Sequence, residues 1–149
     1  MRMVALNPGE QCSWATWDGR HLGSGVEEFQ TGAGNGPGKS VEDFGSWLEA
    51  VSVMVDPELY VCEDEHQGLR LCPELVTDMR RTIEQLAARE HVGFEIVVTK
   101  DLEKWATGKV NPRDEDILGE LSRRYEVDVP DVRQARAVLL IGWKTGELG

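Results

Sequence analysis

The stretch Met3–Gly19, "MVALNPGEQCSWATWDG", decides the fold. Met3 to Leu6 is an unbroken apolar run, the pattern of a central strand covered on both sides. Pro8-Gly9 is a turn signal. Cys12 to Trp17 alternates and carries aromatic and β-branched side chains, so it predicts a second strand. Asp18-Gly19 is a strong hairpin turn. Arg20 to Phe29, interrupted by Gly23 and Gly25, follows as a third strand. One polar side chain breaks the pattern: the amide of Asn7 sits where the first strand ends.

Working outward, Thr31–Ser40, "TGAGNGPGKS", is rich in glycine. Gly38 lies one residue too near Gly34 for a Walker phosphate loop, and no apolar strand runs into it. The stretch reads as a connection to a helix, with Ser40 and Asp43 as an N-terminal helix signature. Val41 to Val55 has Val41, Phe44, Trp47, Leu48, Val51 and Met54 at helical spacing, and Pro57 ends it. Leu59 to Cys62 is a short apolar strand that runs straight into Glu63-Asp64-Glu65-His66. Pro73 to Glu90 is a second helix with a stripe of Leu75, Met79, Ile83 and Leu86. Phe94 to Val98 is a strand, and Thr107 to Pro112 a loop. Arg113 to Tyr125 is a helix that turns Ile117, Leu118 and Leu121 inward. Pro130 and Asp131 open a last helix that runs to about Trp143. The order is three antiparallel strands, helix, strand, helix, strand, helix, helix. Strand–helix alternation in the second half implies parallel neighbours and a layered α/β domain.

At 149 residues the chain is expected to form one domain with a sizeable core. No apolar run approaches the roughly 20 residues that span a bilayer, so no membrane association is expected. No secretory signal is visible either, which makes a cytoplasmic protein the expectation. The net charge of −11 argues against non-specific nucleic-acid binding, which needs Lys and Arg to displace counterions, and leaves room only for a local basic patch. Cys12, Cys62 and Cys72 are odd in number and irregularly spaced, so no disulfide framework is expected. A zinc site built from Cys62, Cys72 and His66 matches no ligand spacing, and the cysteines read as small buried hydrophobes.

Four polar residues converge in this topology. Asn7 ends the first strand and Glu63 the fourth, and these two strands are expected to be neighbours. Asp131 and Gln134 lie one turn apart at the start of the last helix. In this arrangement the chain resembles the RuvC-type Holliday junction resolvases of DNA recombination, in the RNase H-like superfamily, and most of all the short forms encoded by bacteriophages. The matching pieces are "ALNPG", where the family has an apolar run, Asp and Pro-Gly; "LYVCEDE", an apolar strand ending in Glu; "ATGKVNP", a Thr-Gly loop before a helix; and "DVRQARAVLLIGW", where the family has Asp, two residues, Asp, Ala and an apolar helix. The resemblance covers nearly the whole chain. It implies an RNase H-like fold with a mixed five-stranded sheet flanked by helices, a homodimer, and a branched-DNA endonuclease. It also implies two Mg2+ (or Mn2+) ions that activate water for phosphodiester hydrolysis. The catalytic positions fall on Asn7, Glu63, Asp131 and Gln134, with Asn7, Glu63 and Asp131 as metal ligands.

Two of these four are amides, with the shape of the family's carboxylates and none of their charge, so Mg2+ (or Mn2+) is expected to be weakly bound or absent. Three readings stay open: a degenerate relative that has lost cleavage, compensation by Glu10, Asp64 or Glu65, or an engineered amide. A non-catalytic binding or assembly protein that kept the fold is the alternative function. The bland readings are a helix cap for Asp131 with Gln134, a turn residue for Asn7 and a solvated strand end for Glu63. Lys104, Lys109 and Arg113 are the DNA-binding candidates, beside Arg70, Arg80, Arg81 and Lys100. His66 is a candidate for touching a phosphate, and His91 reads as a solvated helix end. Trp105 is a candidate for stacking on a base, while the other tryptophans read as core or interface. The apolar stripe of the second helix is the expected subunit interface.

Overall fold

The computed structural model describes residues 1–29, 37–64 and 73–148. The glycine-rich stretch from Thr31, and the candidates Glu65, His66, Arg70 and Cys72, lie outside those residues wholly or in part. In chain order the elements are β1 (Met3–Asn7), β2 (Gln11–Trp17), β3 (Leu22–Glu28), α1 (Pro37–Val55), β4 (Leu59–Asp64), α2 (Pro73–Glu90), β5 (Gly93–Val98), α3 (Thr99–Thr107), α4 (Asp114–Tyr125) and α5 (Val132–Thr145). The five strands form one mixed sheet in the order β3-β2-β1-β4-β5. β1 pairs antiparallel with β2 and parallel with β4, and β4 pairs parallel with β5. This is the α/β architecture that the sequence predicts.

β1 is central, and all five of its residues are buried. That explains its unbroken apolar run: both faces are covered. Met3, Ala5, Ala15, Val61 and Val97 pack on one side against α3, α4 and α5. Val4, Leu6, Cys12, Tyr60 and Cys62 pack on the other against α1 and α2. Gly23 and Gly25 do not break β3. Trp14, on the neighbouring strand, lies over them, and a Cβ at Gly25 would come 2.9 Å from the indole. Glycine here admits the tryptophan.

One element is new and one expectation changes. The segment between the strand Phe94–Val98 and the loop from Thr107, to which the sequence reading assigns no element, is a helix, α3, entered directly from the strand through Val98 with no side-chain cap. The stripe of α2 is core, not subunit interface: Leu75, Met79 and Ile83 are fully buried against the sheet and α1.

Candidate active site

The site is built on two adjacent strand ends. Leu6 is level with Cys62 in the parallel pair, so Asn7 and Glu63 follow side by side where β1 and β4 end. Alternation along each strand puts both on the face of Met3, Ala5 and Val61, the side covered by α5. Both are buried. Ser13, directly across from Asn7 on β2, shares that face and is buried too.

Glu63 is held by charge. Thr99, the first residue of α3, donates its hydroxyl to Glu63 Oε2. Arg136 of α5 brings Nε to 3.9 Å from the same oxygen. The guanidinium reaches on to Glu103 of α3, where Nη2 donates to Oε1 at 2.8 Å. These side chains are 0% (Glu63), 12% (Glu103) and 15% (Arg136) exposed, so the cluster is almost dry. An ion pair removed from water is worth having only when every charge finds a partner.

Asp131 is the N-cap of α5. Its Oδ1 accepts from the backbone N–H of Arg133 at 2.7 Å and of Gln134 at 3.3 Å. The reciprocal half of a capping box is replaced by another contact: Gln134 Nε2 donates to Ser24 Oγ on β3 at 2.9 Å. At 100° per residue, Gln134 and Arg136 stand about 200° apart around α5. One reaches toward β3, the other toward β4 and α3. The structure therefore brings Asn7 and Glu63 together on neighbouring strands and ties the amide of Gln134 to the opposite flank of the helix. Asp64, a proposed compensating acid, alternates to the other face of the sheet, where Arg80 Nη2 donates to Oδ1 at 2.8 Å.

A pair of magnesium ions asks for hard anionic oxygens. Here two of the four positions are amides, Asp131 caps a helix, and Glu63 faces a guanidinium. That donor set does not fit a two-metal centre. Among the described residues no three His, Cys, Asp or Glu side chains are grouped to hold a metal ion.

The basic candidates lie on α3 and the connection after it. Lys100, Lys104, Lys109 and Arg113 are exposed. Lys109 Nζ is 3.1 Å from Asp116 Oδ1, and the backbone N–H of Arg113 donates to Asp116 Oδ2 at 2.9 Å. Arg80 and Arg81 are engaged by Asp64 and Asp78. Trp105 has a different role from the expected one: it stacks on Trp143 at 5.3 Å, and Arg124 lies 4.4 Å over its ring.

Sequence reasoning missed Thr99, Glu103, Ser24 and above all Arg136. A signal for Arg136 existed. It is a charge set among Ala135, Ala137 and Val138, all buried, and a charge there demands a partner.

Neither a family model nor a curated protein sequence matches the chain. Solved structures do. Thermus thermophilus RuvC in complex with a Holliday junction substrate aligns with a TM-score of 0.77 over 99% of this chain and 95% of that one, at 13% identity. A second structure of Thermus thermophilus RuvC gives a TM-score of 0.73 over 99% and 98%, also at 13% identity. The yeast mitochondrial Holliday junction resolvase Ydc2 gives 0.66 over 98% of this chain and 78% of that one, at 12% identity. The fold is therefore RNase H-like, and within that class it is of RuvC type.

Proposed function

We propose that this protein binds branched DNA through its RuvC-type fold and does not hydrolyse it by the two-metal route. The observation that carries this reading is the state of Glu63. It is the charged member of the strand-end pair, and its Oε2 accepts from Thr99 and lies 3.9 Å from the Arg136 guanidinium, while its neighbour Asn7 brings no charge. Contact with DNA then rests on shape and on a few local cations, Lys100, Lys104, Lys109 and Arg113, within an acidic molecule. The resolvase fold supports a branched rather than a linear target.

The test is a mobility shift with a four-way junction and with linear duplex of the same sequence, over a salt series. The junction should bind in preference to the duplex. Lys104→Ala with Lys109→Ala should weaken binding and lower the slope of log affinity against log salt by about one for each phosphate that is no longer neutralised. Equal or absent binding of both DNAs would contradict the proposal. It would favour an assembly protein whose partners are basic, a reading that the net charge of −11 supports.

A further inference from the structure

The misfit between this pocket and a metal pair has a positive counterpart. α5 is apolar through Ala135 and from Ala137 to Ile141, all buried, and Arg136 is the charge placed among them. A guanidinium in such a place is tolerated only if acids meet it. Two do, from two different elements: Glu63 at the end of β4 and Glu103 on α3. Thr99 adds a neutral donor to the same Glu63 oxygen. Two carboxylates and one guanidinium leave one net negative charge. The amides Asn7 and Gln134 add none.

We propose that Arg136 is a built-in cation: it gives Glu63 the positive charge that a divalent ion supplies in a two-metal pocket, and the pocket is assembled without metal. The guanidinium is always charged; it joins α5 to α3 through its hydrogen bond to Glu103 and sets its charge 3.9 Å from Glu63 of β4, independently of magnesium supply. Any divalent ion approaching Glu63 meets a like charge already in place. Lysine, a compact point charge with freely rotating donors, would not bridge the two acids in the same way. This inference concerns the pocket's own architecture and holds whether or not DNA binds. Failure of the junction assay leaves it standing, and its own failure leaves junction binding standing.

The experiment is thermal melting of the full chain, followed by circular dichroism, in EDTA and in millimolar Mn2+. It compares the unaltered protein with Arg136→Met, Glu63→Gln and the double variant. The unaltered chain should melt at the same temperature in both buffers. Arg136→Met should melt about 10 °C lower, the scale of a broken buried ion pair. The loss should be smaller in the Glu63→Gln background, where one uncompensated acid is gone. Mn2+ should raise the melting temperature of Arg136→Met. Additive losses in the double variant, an Arg136→Met chain blind to Mn2+, or Mn2+-dependent melting of the unaltered chain that Glu63→Gln abolishes would each overturn the inference. If Arg136→Met does not fold, folding of the double variant supports it, and failure of both reduces Arg136 to a packing residue.

Discussion

At the scale of the residue, Asn7 and Asp131 are set by the backbone around them. Asp131 caps α5, so Asp131→Ala should cost about 1 kcal/mol in urea unfolding, while Asp131→Asn, an equally good cap, should change stability little. Asn7→Asp has a different signature. It would set a second buried carboxylate beside Glu63, and like charges in one pocket raise a carboxyl pKa. A carboxyl whose folded pKa is raised destabilises above its unfolded value and is harmless below it. The variant should therefore lose about 1–3 kcal/mol at neutral pH and recover as pH falls through about 4, read by urea midpoints across that range. The sequence made Asn7 and Glu63 visible because each ends an apolar strand, and two adjacent parallel strands must bring such ends together. Arg136 escaped because a helical apolar pattern absorbs one polar position without losing its period. Thr99 and Glu103 escaped with the helix that carries them.

At the scale of the element, the helices on the α5 side are fitted through particular contacts. Gly142 of α5 lies under Tyr125, the last residue of α4, and a Cβ there would come 2.1 Å from the phenolic oxygen. Gly142→Ala should force the ring aside and cost about 1–3 kcal/mol. Gly119, on α4, has open space around it. Gly119→Ala should instead stabilise by about 0.4–1 kcal/mol through the unfolded chain. The pair is checked by urea unfolding of both variants side by side. Strands, their order and the long helices were legible because alternation and 3.6-residue periodicity extend over many residues. α3 was not. It follows β5 with no Gly or Pro between them, lacks a side-chain cap, and has only Leu102 and Ala106 as its buried positions. Nor could the pattern of α2 say whether its apolar stripe meets a second subunit or its own sheet, because an amphipathic face has the same spacing in both cases.

At the scale of the whole molecule, an acidic chain has its stability bounded from both ends of the pH range. Asp116, Glu120 and Glu147 titrate below their ordinary range. The causes are, in turn, the backbone N–H of Arg113, the guanidinium of Arg123 and the N-terminal ammonium. Their contribution is present above the usual carboxylate pKa and is lost as pH falls. Burial acts in the opposite sense at the alkaline end, pushing the Cys62 thiol and the Tyr60 phenol each up to about 12. What they contribute is complete below their ordinary pKa values and is lost as pH rises toward 12. Unfolding free energy should therefore fall between about pH 9 and pH 12, and Tyr60→Phe should flatten the upper part of that limb, as measured by urea titration at stepped pH. In the proposed function the same acidity would leave DNA contact to the few cations of α3 and the connection after it, and the pocket would decide between cutting and holding. The most direct measurement incubates an end-labelled four-way junction with excess protein in millimolar Mg2+ or Mn2+, and reads a native gel and a denaturing gel from one reaction. The account predicts a shifted junction with every strand intact. Nicked strands that disappear with Glu63→Gln would contradict it.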